Sequence, residues 1–134
     1  MYFNRETDYC IRIVQCLANE GGRLGAATIS ERTGVTQRFA LKILLKLVGS
    51  GIVRSYKGVK GGYELAKKPE EITLLDVIET IDGDIAVSQC LHEGYACERA
   101  GGCFFHRFFG QLSEEIADRL RSVNFEQIKH EKIV

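Results

Sequence analysis

Apolar residues recur at helical spacing in four stretches of this chain, alternate in one, and are separated by glycines, a proline and capping residues. Cys10, Ile11, Val14, Leu17 and Ala18 predict a first helix running to about Glu20, capped by Asn4 or Thr7. Gly21-Gly22 ends it. Thr28-Ile29-Ser30-Glu31 has the form of a capping box and predicts a short second helix stopped by Gly34. Thr36 caps a third, with Phe39, Ala40, Ile43, Leu44, Leu47 and Val48 facing inward and Gly51 as its stop. Ile52 to Tyr56 alternates as a strand, Lys57 to Gly62 forms a glycine-rich turn, and Tyr63-Glu64-Leu65 returns as the partner strand. Beyond Pro69, Thr73-x-x-Asp76 opens a fourth helix, Leu74 to about Ile81, which buries Leu75, Val77, Ile78 and Ile81. A long helix from about Cys103 to Asn124 carries Phe105, Phe108, Phe109, Leu112, Ile116, Leu120 and Val123 in one stripe. Phe125 to Val134 reads as a frayed tail.

Two short helices joined by a tight turn, the second followed by a two-stranded hairpin, are the winged helix-turn-helix arrangement. The expected fold is therefore mainly α with a small β-hairpin. Residues 1–84 form a winged helix-turn-helix DNA-binding domain, 85–106 a cysteine-rich loop, and 103–134 a dimerisation helix and tail. The long stripe exceeds what one small domain covers alone, so a homodimer joined by this helix is the natural cover.

Charge sharpens the reading. The chain of 134 residues has no formal net charge, but the charge is unevenly placed. Residues 36–68 hold eight basic side chains against one acidic, a balance of +7, while residues 69–134 hold six against thirteen, a balance of −7. The basic block coincides with the helix-turn-helix and points to an anionic partner, double-stranded DNA. Thr36, Gln37, Arg38 and Lys42 fall at the start of the third helix as base readers, since Gln pairs with adenine and Arg with guanine by two-pronged hydrogen bonds. Lys57 and Lys60 on the wing, with Lys46, are placed for phosphate or minor-groove contact. Residues 57–62 are no nucleotide-phosphate loop: they join two strands and lack the Gly-Lys-Ser/Thr ending. No nucleophile–base pair, paired acid or cofactor loop stands out, so an enzyme is not expected. The first twenty residues carry Arg5, Glu6, Asp8 and Arg12 and no apolar core, which predicts a cytoplasmic protein.

The remaining chemistry is sulfur. Cys90, Cys97 and Cys103 are separated by six and five residues, and His106 follows three positions later. Three thiolates and an imidazole suit zinc, and iron–sulfur clusters tolerate histidine in place of cysteine. Short Cys-x2-Cys knuckles are absent, and the wider gaps favour a cluster over zinc. Cys10 and Cys16, six apart on the first helix, share no face and read as core or partly buried thiols. Asp8 in the first turn complements the helix dipole.

Ile29-Ser30-Glu31-Arg32-Thr33-Gly34 and Gly61-Gly62-Tyr63, together with the Cys90/Cys97/Cys103/His106 loop, resemble the IscR-type bacterial regulators, relatives of NsrR and CymR. The likeness runs from the first helix to the long one. It implies a homodimer of winged helices, a [2Fe–2S] cluster held by Cys90, Cys97, Cys103 and His106, and repression or activation of cluster-assembly genes. A [4Fe–4S] cluster or zinc is the alternative, as is a nitric-oxide or thiol-redox response or a zinc-stabilised DNA-binding protein. Two positions depart from the pattern. The first cysteine gap is six residues where the family more often has five, and Leu41 stands where IscR carries Glu. The NsrR branch takes an Asp ligand from the other subunit's first helix, which makes Asp8 a possible alternative ligand.

Overall fold

The order of elements follows from where the chain can satisfy its own helix ends. In the computed structural model, which describes residues 3–88, 91 and 102–132, α1 spans Arg5–Glu20, α2 Ala26–Thr33, α3 Gln37–Gly49, β1 Val53–Tyr56, β2 Gly62–Leu65, α4 Leu74–Asp82 and α5 Phe104–Arg121. The described residues are thus mainly α with one two-stranded antiparallel hairpin, as expected.

Most helix starts match the sequence reading. Asn4 caps α1, its Oδ1 accepting the Thr7 N–H at 2.9 Å. Thr7 lies inside the first turn, buried, and donates its hydroxyl to Asp82 at 2.7 Å, tying α1 to the end of α4. Thr36 caps α3 by accepting the Phe39 N–H. Thr73 and Asp76 cap α4 reciprocally, at 3.1 and 3.0 Å, which satisfies two end donors at once.

The predicted start of α2 is corrected. No capping box forms at Thr28; the helix begins at Ala26 behind Gly25, without a side-chain cap. The cause is tertiary. Leu24 exchanges two backbone hydrogen bonds with Tyr63, at 2.9 and 2.8 Å, so the chain is pinned to the hairpin and coils as soon as it leaves it. Ala26 and Ala27, strong helix formers, meet no obstacle there.

The frayed tail is also corrected. Phe125 is fully buried in the same core as Ile13, Leu17, Ile43, Leu44 and Leu47. Its N–H donates to the Ile72 carbonyl at 3.0 Å, and the Leu74 N–H donates to Val123 at 2.8 Å. Further on, the buried Gln15 amide donates to the carbonyls of Ile128 and Glu131, so a polar group at mid-helix is satisfied by the tail itself. Ile81, expected in the core, is half-buried. Among the described residues no helix is long and apolar enough to cross a membrane.

Candidate nucleic-acid interface and metal centre

The turn between α2 and α3 fixes the direction of α3. Gly34 adopts φ of 75° at the end of α2, a conformation that costs glycine little. Thr33 donates its hydroxyl to Ile29 at 2.7 Å, and Ser30 donates to Val35, so the turn's polar groups are satisfied locally. Ala40, Ile43, Leu44 and Leu47 then face the core, which leaves Gln37, Arg38, Leu41, Lys42 and Leu45 exposed on the opposite side. Thr36, Gln37, Arg38 and Lys42 therefore stand together on one exposed end of α3. Lys46 differs: its ammonium lies 2.6 Å from Glu6 of α1.

The wing carries Lys57 and Lys60, both exposed, on either side of a tip whose Val59 is fully exposed. β1 and β2 pair from Val53 with Leu65 to Tyr56 with Gly62. Gly62 has φ of 138°, and a Cβ there would stand 2.7 Å from the Leu24 carbonyl oxygen; no other residue fits without moving the strand. Arg23 was invisible to the sequence reading, sitting in a block of balanced charge. Its guanidinium lies over the Tyr56 ring at 3.4 Å and donates to the Lys60 carbonyl at 3.3 Å, a cation–π contact that braces the turn holding both wing lysines. Its partner lies far along the chain, so no local pattern could have found it.

Half of the sulfur–imidazole set is visible. Cys103 is the N-cap of α5, half-buried, with no side-chain cap bond, and His106 follows in the first turn. Residues three apart on a helix share a face, and the same face continues through Gly110, Ser113 and Ala117. Against it docks the segment leading to the cysteine loop: the Val87 N–H donates to Ser113 Oγ at 3.0 Å, and Leu91 packs over Gly110. Leu91 follows Cys90 directly, and Gly110 lies one turn beyond His106, about 6 Å along the axis. Cys90 and Cys97 lie outside the described residues. Among the described residues no three His, Cys, Asp or Glu side chains converge, and the donor set therefore depends on those two cysteines. Small residues at 110, 113 and 117 were the signal missed in the sequence, where the phenylalanine stripe on the adjacent face drew attention.

Cys10 is a core thiol, and Cys16 is half-buried against the same core. Burial, with the Glu6 charge second, pushes Cys10 up to about 12, and burial also raises Cys16. Both stay protonated at neutral pH, whereas the thiolate is the ligand form. Asp8 pairs with Arg12 within its own helix at 2.9 Å.

A groove of about 380 Å³ runs between α4 and α5, lined by Leu75, Glu79, Asp84, Leu91, Ser113 and Arg121 among others. Burial, followed by a hydrogen bond with Asp84, raises Glu79 from its ordinary value. The phenylalanine side of α5 is open, with Phe104, Phe105 and Phe108 exposed by 59, 61 and 48%.

Comparison with known proteins agrees with this architecture. The Rrf2 family profile, described as an iron-dependent transcriptional regulator, matches residues 3–131. The HTH-type transcriptional regulator IscR of Pectobacterium carotovorum is 30% identical over 119 residues, 88% of this chain and 71% of that protein. IscR of Photorhabdus laumondii is 31% identical over 113 residues, 84% of this chain and 68% of that protein. Among solved structures, CymR, the global cysteine regulator of B. subtilis, superposes with a TM-score of 0.76 at 22% identity over 98% of both chains. IscR of T. potens gives 0.72 at 21% identity, over 96% of this chain and 85% of that one. The two structures carry the fold, and the family match carries the class: the chain belongs to the Rrf2 family of DNA-binding transcriptional regulators and is not an enzyme.

Proposed function

We propose that this regulator responds to iron–sulfur supply, with Cys90, Cys97, Cys103 and His106 holding a [2Fe–2S] cluster, and that it controls cluster-assembly genes as a homodimer. The observation that carries the reading is the single face of α5 that bears Cys103 and His106 at its start and receives Leu91, the neighbour of Cys90, one turn on. The start of a helix is electropositive and suits anionic thiolate ligands. The donor set fits the group: three sulfurs and one imidazole are a known cluster environment. The family's description as iron-dependent, and relatives named IscR, support the same assignment.

A bound cluster supplies a redox-active, oxygen-sensitive cross-link between the loop and α5. The chain's own residues do the rest. Cys103 and His106 hold from the helix, and Cys90 and Cys97 from the loop. The far end of α5 is fastened to the winged helix through Val123 and Phe125, so the position of α5 and that of the core are linked. Phe104, which stacks on Phe108 and meets Phe105 edge-to-face, forms with them the surface a second copy covers. Two copies of α3 then reach half-sites about 34 Å apart on duplex DNA, one helical turn. Thr36, Gln37, Arg38 and Lys42 read bases, and Lys57 and Lys60 meet phosphates, with Lys46 restrained by Glu6.

The test is spectroscopic. Protein purified without oxygen from iron-replete cells is expected to absorb in the visible and to contain iron and sulfide, and His106→Ala is expected to shift or bleach that absorption. An unchanged spectrum removes His106 from the ligand set and leaves Asp8 as the next ligand to test. A colourless protein containing zinc replaces the sensor with a zinc-stabilised regulator.

A further inference from the structure

The exposed face of α3 is not uniformly polar. At 3.6 residues per turn, Gln37 and Lys42 mark the edges of the outward arc, and Leu41, Leu45 and Arg38 lie between them. Leu41 is 41% exposed and Leu45 is 73% exposed. Single exposed leucines are ordinary on a protein surface. Two of them one turn apart, at the middle of a face edged by Gln37 and Lys42 and sharing its outer side with Arg38, form an apolar strip with a polar rim that is cationic along one side.

We propose that Leu41 and Leu45 recognise the 5-methyl groups of thymines in the major groove, and so set part of the operator preference. This rests on the reading that α3 enters that groove. The occupant follows from chemistry. The thymine methyl is the one apolar group that base pairs present in the major groove, and Arg38, Lys42, Lys57 and Lys60 complement the phosphates on either side. A second copy of this chain seated on the same strip would bring those cations against their own kind. Arg38 and Gln37 supply hydrogen bonds beside the strip, so guanine or adenine is read next to thymine.

The probe is a set of duplexes recovered by the full-length protein from a random-sequence pool, with iron-replete and iron-stripped preparations each used. Each thymine in the recovered consensus is then replaced by deoxyuridine, which keeps every hydrogen bond and removes only the methyl. Loss of about one methyl's worth of apolar burial is expected to weaken binding about fourfold per contacted thymine. In Leu41→Ala and Leu45→Ala, thymine and uracil duplexes are expected to bind equally. Both side chains are exposed, so neither change disturbs the core, and far-UV circular dichroism confirms that. Equal binding of thymine and uracil duplexes by the unaltered protein at every position overturns the proposal while leaving sequence-specific DNA recognition intact. Recovery of no preferred duplex by either preparation overturns the placing of α3 in the groove, and this inference with it.

Discussion

Replacing Phe125 by Ala is expected to destabilise the protein by about 3–5 kcal/mol, the cost of emptying a buried aromatic site in a close-packed core. Phe125 is fully buried and joins the cluster formed by α1, α3 and α4. Its backbone N–H is bonded to Ile72, and Ile72 is itself fully buried. The side chain therefore does two things. It fills the floor of the winged helix, and it fastens the end of α5 to the helix-turn-helix. Urea unfolding followed by circular dichroism measures the effect as a lowered midpoint with little change in slope. A shift within a few tenths of a kcal/mol would mean that the segment after α5 contributes nothing to the core. A stability of 5–15 kcal/mol is typical of such domains, so this one substitution removes a large share of it.

The second large effect is on DNA affinity. Arg38, Lys42, Lys57 and Lys60 are exposed, and Lys67 and Lys68 are exposed at the base of the wing. If about six phosphates are neutralised per half-site, the logarithm of affinity falls against that of salt concentration with a slope of about −5 for each half-site occupied. Between about 50 and about 200 mM salt this amounts to roughly a thousandfold loss per half-site. Titration of a labelled duplex at several salt concentrations gives the slope directly. Lys57→Ala is expected to make it shallower by about one per half-site. Lys46→Ala is expected to leave it unchanged, because that ammonium is already held by the half-buried Glu6 carboxylate at 2.6 Å. A slope near zero would show that the basic face meets no phosphates.

What could be read from the sequence was what the chain decides locally. Asn4, Thr36 and the Thr73–Asp76 pair cap their own helices from within four residues, and Gly21, Gly34, Gly51 and Gly83 take the positive φ that ends each one. The wing was legible because its turn is glycine-rich and its strands are adjacent. The start of α2 was not, because Leu24 is held by Tyr63, and a capping box at Thr28 has no means of expressing that. Phe125 looked like the first residue of a tail because a single aromatic carries no period. Its burial depends on Ile72, which reaches it only after α5 has turned the chain back. At the candidate metal centre, residue type and spacing single out Cys103 and His106 as proposed ligands, and the two fall on one face at the start of α5. The loop's docking on Gly110 and Ser113 depended on small residues, which carry little signal by themselves.

In the function proposed for this regulator, occupancy of the thiol–imidazole site alters how α3 and the wing engage DNA. The most direct measurement is the affinity of one recovered duplex for iron-replete protein and for the same preparation stripped of iron by a chelator, both without oxygen and at one salt concentration. The two affinities are expected to differ for at least one class of recovered duplex, and the difference is expected to vanish in Cys103→Ala. Equal affinities for every recovered duplex, from protein that demonstrably carries iron and sulfide, would contradict it.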